Sequence, residues 1–166
     1  MPVFSQTLIN NIQKCWAPAG CRPLIQKRIR RDYIYGYAAV FPSIGEMSAL
    51  VLPGVNIDMM NIFLEHVSKE YSDYFIIMQV DRASWHRSKN LKLPENIKFI
   101  EQPAYSPELN SVEHVWDDIR EKEFANKLLD SIDNVVDSLC SGFMRLINNP
   151  GYISSLTGFN HLNVIF

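Results

Sequence analysis

Two carboxylates stand out in this chain by type and by setting: Asp81 in the run QVDRASWH (79–86) and Glu113 in PAYSPELNSVEHVW (103–116), with 31 residues between them. Carboxylate oxygens are the ligands that Mg²⁺ prefers. A pair of them can hold divalent metal over a phosphodiester. In two-metal phosphoryl chemistry one ion activates water or a 3′-hydroxyl, and the other stabilises the leaving oxygen. That arrangement normally wants a third carboxylate shared by both ions. Each acid also has a plainer role open to it. Asp81 could cap the short turn that follows it, and Glu113 could be part of an ordinary acidic first helical turn.

Other reactive side chains cluster around these two. His86 lies five residues after Asp81, within reach of a phosphate or a leaving group, or simply closing a turn. Asn110 and His114 flank Glu113, and Asn110 could equally cap a helix. Asp117 follows one turn after Glu113 and reads as an outer or surface acid. Trp16 and Trp85 could stack on bases, although tryptophan also serves as packing. His66 falls within a helical pattern as a boundary residue. Ser84 has no His/Asp partners at a spacing that suits nucleophilic catalysis. The chain contains no P-loop, HExxH or dinucleotide fingerprint.

The elements that would position these residues follow from hydrophobic periodicity. VFSQTLI could form a short strand. Asp32–Phe41 is aromatic and β-branched, and Met47–Leu52 follows after the turn PSIG, so the two predict an antiparallel hairpin. Met59, Met60, Phe63, Val67 and Tyr71 recur at helical spacing after Asn56 or Asp58 as a cap. Phe75–Val80 is a continuous apolar run, which suits a buried parallel strand. Asp81 then stands at the strand's C-terminal end, where open α/β sheets place ligands. Asn96–Ile100 predicts another strand. Helices are expected from about Leu109 to Phe124 and over Ser131–Asn148, with Pro150 and Gly151 ending the second. The result is one domain with mixed α/β layers.

Composition sets the outer limits. The 166 residues suffice for a core, and 47% apolar content argues against disorder. No stretch approaches the roughly 18 uncharged apolar residues of a membrane span, and the N-terminus does not resemble a signal peptide. Three cysteines without metal spacing favour a reduced, cytoplasmic protein. The net charge of −2 speaks weakly against nucleic acid, but its distribution is uneven. Residues 1–50 carry +4, and five of their cations lie in RPLIQKRIRR: Arg22, Lys27, Arg28, Arg30 and Arg31. Such a run is either a solvated loop or a phosphate-contacting patch.

VDRASWHRS, LPENIKFIEQPAYSPELNSVEHVWDDIR and EFANKLLDSIDN together resemble the catalytic domain of bacterial insertion-sequence transposases of the mariner-like superfamily. The resemblance extends upstream through WAPAGCRP and downstream to SSLTGF. It implies an RNase H-like α/β fold and a DDE/DDD endonuclease. On that footing Asp81 would be the second catalytic acid and Glu113 the third, both binding Mg²⁺ or Mn²⁺. His86 and Asn110 match positions around the active site, whereas Asp117 matches no required one. Arg87 and Lys89 join the earlier basic run as candidate DNA contacts. The expected partners are DNA, both transposon ends and target, and a second copy or a full-length transposase.

One departure bears on activity. The family carries its first acid on the first core strand, and counting that spacing back from Trp16 reaches Pro2; no Asp or Glu precedes Asp32. The family's N-terminal helix-turn-helix region has no counterpart here. The expectation is therefore a partial catalytic domain over residues 1–166, with its first core strand incomplete or missing. Two other readings compete with strand cleavage and transfer. One is an inactive remnant that binds DNA or a full-length transposase, and the other is an RNase H-like structure-specific nuclease.

Overall fold

The computed structural model describes residues 4–7, 17–21, 33–81, 90–103, 106, 109–127 and 129–159. Strand β1 (Phe4–Thr7) pairs antiparallel with β2 (Tyr33–Phe41), which pairs antiparallel with β3 (Glu46–Leu52). The register sets Phe4 opposite Gly36 and Tyr35 opposite Leu52. A short first strand is thus present, four residues long. Helix α1 (Ile57–Glu70) leads to β4 (Ile76–Val80), which pairs in parallel with β5 (Ile97–Glu101). Helix α2 (Val112–Ile119) runs into a π-helical turn at Arg120–Phe124, and α3 (Ile132–Ile147) and α4 (Pro150–Thr157) complete the order. Among the described residues no helix is long and apolar enough to cross a membrane.

Helix α1 starts at Asn56, whose side chain accepts a hydrogen bond from the Met59 amide at 2.9 Å, as the sequence suggested. Its Met60, Phe63, Leu64 and Val67 pack against Tyr37 and Ala39 of β2 and against Ile76, Met78 and Val80 of β4. The far end of α1 is tied down by Asn96. That carboxamide donates to the carbonyls of Ser68, Tyr71 and Tyr74, and its oxygen accepts from Ser68 Oγ at 2.6 Å. One side chain from the turn before β5 thereby serves the carbonyls a helix end leaves over.

Ring contacts give the direction of travel. Tyr37 lies 5.6 Å from Phe63, and Phe41 lies 4.5 Å from Tyr71, so α1 runs alongside β2 in the same sense. After the turn at 71–75, β4 returns the opposite way. Val80 and Asp81 therefore arrive at the end where β2 begins and β3 finishes.

The other face of the three-stranded sheet is covered by α2, α3 and α4. Val112, Val115, Trp116, Ile119, Leu139, Phe143 and Leu146 form a second core with Ala38 and Met47. Gly36 permits this approach, because a Cβ there would lie 3.1 Å from the Phe143 ring. One expectation is met with an addition and one needs correction. Helix α3 ends before Pro150, as expected, and Pro150 then begins a further helix, α4, which the sequence reading did not include. Asn149 accepts from the Tyr152 amide as its cap, and proline suits a first turn that needs no amide there. The run Phe75–Val80 is a parallel strand, but only one side of it is buried. Phe75 and Ile77 are 65% and 60% exposed, because α1 covers the Ile76, Met78 and Val80 side alone.

Charge also fastens these helices. Asp118, buried on the inner side of α2, accepts hydrogen bonds from Tyr152 Oη and Arg145 at 2.6 Å each, and Lys122 sits 2.5 Å from the same carboxylate. Arg145 also reaches Glu123 at 3.1 Å. Burial pushes the Asp118 carboxyl up, and bonds from Lys122, Tyr152 and Arg145 more than offset this and hold it below its ordinary value. A depressed carboxylate stabilises the fold above its unfolded pKa and loses that contribution as pH falls through the folded one. Replacing Asp118 with Ala removes the acceptor shared by Tyr152, Arg145 and Lys122, which costs about 1–3 kcal/mol. Urea denaturation at neutral pH should show that loss, and the gap from wild type should narrow in acid.

Candidate functional site

The site is assembled at the C-terminal end of β4. Gln79 is the one polar residue in the run FIIMQV, and its carboxamide nitrogen makes two bonds. Nε2 donates to Gln102 Oε1 at 3.3 Å and to the Leu109 carbonyl at 3.1 Å. The Gln102 amide donates to the Val80 carbonyl at 2.9 Å, continuing the strand pairing one step past β5. These bonds tie the end of β4 to the segment that leads into α2. Asp81 is the next residue after the tied strand, and it is half-buried.

Asn110 brings in the other acid. It is buried, and its carbonyl accepts from the Glu113 amide at 3.0 Å while its side-chain oxygen faces the Val112 amide at 3.4 Å. Asn110 thus organises the first turn of α2, the structural role the sequence left open for it. Glu113 sits in that first turn, where the helix dipole favours a negative charge. Val115 and Trp116 hold the helix on the core side, leaving Glu113 half-buried at the edge of that face.

The charge of Asp81 is among those that act on Glu113. Burial raises the Glu113 pKa above the ordinary glutamate value; the Arg120 guanidinium works the other way, and the charges of Asp117 and Asp81 raise it further. Asp81 therefore lies close enough to act on Glu113, although β4 and α2 are separated by a whole strand and loop. Asp117 and Arg120 follow Glu113 at helical spacings of four and seven residues and are ion-paired with each other. Among the described residues no group of three or more His, Cys, Asp or Glu is gathered as a metal site.

A profile of the family described as DDE superfamily endonuclease matches residues 5–136. The chain belongs to that family. The match spans both acids of this DDE protein, from β1 into the first turn of α3. An uncharacterized protein, y4pE/y4sA, of Sinorhizobium fredii (strain NBRC 101917 / NGR234) is 34% identical over 125 residues, covering 75% of this chain and 91% of the relative. Two solved structures share the fold. The Mos1 transposase paired-end complex with left transposon end superposes with a TM-score of 0.62 at 16% identity, covering 95% of this chain. The Mos1 strand transfer complex gives 0.61 at 17% identity and 94% coverage. The chain spans about half the length of each, 53% and 52%. The RNase H-like expectation for this DDE chain is met at the level of fold.

His86, Arg87 and Lys89, together with Arg22, Lys27, Arg28, Arg30 and Arg31, lie outside the described residues, as do Trp16 and Trp85. His66 is a boundary residue as expected, 3.5 Å from Glu70 on an exposed helix face. His114 points away from a polar role: its ring meets Phe159 edge-on at 4.9 Å. Sequence reasoning overlooked Gln79, Gln102 and Arg120. Gln79 did leave a signal, a lone carboxamide two residues before Asp81 in an otherwise apolar strand.

The raised Glu113 carboxyl has a thermodynamic consequence. A group whose folded pKa exceeds its unfolded one binds more protons when folded, so stability falls as pH rises through that interval. Glu113→Gln removes the buried charge. It should melt higher than the wild type near neutral pH, with the difference vanishing in acid, as followed by thermal denaturation across a pH series without divalent ions.

Proposed function

We propose that this DDE chain is a transposase catalytic domain whose parent activity is divalent-metal-dependent cleavage and transfer of DNA strands at transposon ends. The observation that carries the reading is the convergence of Asp81 and Glu113. They are borne on separate elements tied by Gln79, and both fall within the family match. The two fold neighbours are transposases, one solved with a transposon end, which supports DNA as the partner here.

The donor set fits the proposed ion. Mg²⁺ is commonly bound by one or two carboxylates, with waters and substrate phosphates completing its shell. Asp81 and Glu113 would supply those two oxygen donors, and a bound cation would offset the burial that chiefly raises Glu113 as well as the smaller effect of neighbouring carboxylates. When bound, Mg²⁺ or Mn²⁺ supplies Lewis-acid stabilisation of charge on phosphoryl oxygens and lowers the pKa of an attacking water or hydroxyl. The protein's part is placement. Gln79 fixes the strand end, Asn110 fixes the helix start, and the packed Trp116 keeps Glu113 from rotating away. Arg120 and the amino end of α2 add positive potential beside the acids, which suits an incoming phosphate. On the resemblance, His86 would be an accessory residue near a phosphate or leaving group, and Arg22, Lys27, Arg28, Arg30, Arg31, Arg87 and Lys89 are candidate DNA contacts.

Asp81→Asn and Glu113→Gln should each reduce Mg²⁺- or Mn²⁺-dependent nicking of supercoiled DNA to background, with circular dichroism and duplex binding preserved. EDTA should do the same to the wild type. Cleavage that survives both substitutions would sink the assignment. A wild-type chain that binds duplex and Mn²⁺ yet leaves strands intact would favour the reading of a DNA-binding protein that does not cut. Preference for RNA–DNA hybrids or branched DNA would point to the structure-specific nuclease instead.

A further inference from the structure

Strand β4 finishes toward the end of the fold where β2 begins, and an aromatic pair stands at that start of β2. Alternation along the strand places Tyr33, Tyr35 and Tyr37 on one face. Their burial falls off stepwise. Tyr37 is fully buried against Phe63, Tyr35 is half-buried at the rim of the α1 core, and Tyr33 is 49% exposed. The rings of Tyr33 and Tyr35 lie 6.5 Å apart and within 15° of parallel. The inner part of this ladder is core packing, whereas the outer ring projects a flat, amphipathic surface at that end of the fold.

We propose that Tyr33, backed by Tyr35, is a stacking platform for an unpaired nucleobase of the DNA strand that enters the site. The proposal rests on the DNA-cutting reading above and names a contact that reading does not include. Three observations favour a base over another occupant. The ring pair stands at the start of β2, on the same end of the fold as the C-terminal end of β4, so a strand whose phosphate meets the acids can carry its flanking bases toward it. Near-parallel rings already present the stacking geometry that a base extends, and such stacking tolerates any base because each has a π-face. In sequence, the cations Lys27, Arg28, Arg30 and Arg31 lie shortly before Asp32 and the pair, a composition that suits a polyanionic partner. Tyrosine also contributes contact area at low entropic cost, having only two side-chain torsions.

The test uses the full chain with Tyr33→Leu and Tyr33→Trp, and two probes of mixed sequence: a blunt duplex, and the same duplex with a single-stranded overhang. Equilibrium binding is followed over a salt series without divalent ions. Tyr33→Leu should weaken binding of the overhang probe about tenfold while leaving the blunt duplex and thermal melting unchanged. Its salt slope should match the wild type, because stacking releases no counterions. Tyr33→Trp should bind at least as tightly as wild type, and its added tryptophan emission should be quenched by the overhang. Equal binding of the overhang by wild type and Tyr33→Leu overturns the platform, as does a loss accompanied by a flatter salt slope. Failure of Tyr33→Trp to retain overhang binding overturns it as well, should the leucine variant not fold. Duplex binding with no dependence on residue 33 defeats this inference alone, whereas a wild-type chain that binds neither probe defeats the DNA reading and this one with it.

Discussion

A single carboxamide joins the two halves of the site. Gln79 donates to Gln102 and to the Leu109 carbonyl, so the last turn of the chain before α2 is held against the last residues of β4. An amide nitrogen has two hydrogens to give, and both have partners. Asp81 lies two residues beyond Gln79 on the strand, and Glu113 lies four beyond Leu109. A displacement of either element would separate the acids. Because the tie is made by a half-buried polar group, its loss would also leave Leu109's carbonyl without that donor, which adds to the cost of separation.

The rest of the fold gives that tie something rigid to connect. The β2–β3 hairpin is covered on one face by α1 and on the other by α2, α3 and α4, so each acid-bearing element reaches the sheet through its own core. Helix α1 and Asn96 fix β4 from one side. Trp116, Ile119 and the Asp118 network fix α2 from the other. The positive-φ turn at Gly45 locks the hairpin to α4. A Cβ there would come within 2.2 Å of the Pro150 carbonyl, so only glycine allows this contact. Side chains of opposite function share α2: Asp118 faces inward into a cationic clamp, and Glu113 faces the site with only partial compensation.

That contrast separates a structural acid from a candidate metal ligand. Asp118 gathers Lys122, Tyr152 and Arg145, and its carboxyl is depressed. Glu113 is raised by burial, against the opposing pull of Arg120 and with two further carboxylates in its field. Holding like charges together in a partly desolvated place costs free energy unless a cation is recruited. The fold thus neutralises Asp118 fully while leaving Glu113, earlier on the same helix, only partly compensated.

Local pattern was enough to read most elements. Asn56 as a cap, the hairpin, the parallel strand before Asp81 and the apolar stripe of α3 follow from side-chain periodicity and capping chemistry, which act over a few residues. The motifs around Asp81 and Glu113 likewise resembled the family that the profile match shows. Sequence ended α3 before Pro150 as found but missed α4, because a proline that stops one helix can equally open the next once Asn149 caps it. It also took Phe75–Val80 as buried throughout, since a run of apolar residues does not say which side a helix will cover. The meeting of the two acids, the inward turn of Asp118 and the exposed end of the tyrosine ladder belong to tertiary structure alone. Each depends on bonds or contacts between segments some thirty positions apart, such as Gln79 to Leu109 and Asp118 to Tyr152. No periodicity in the chain encodes which distant partner a side chain will find.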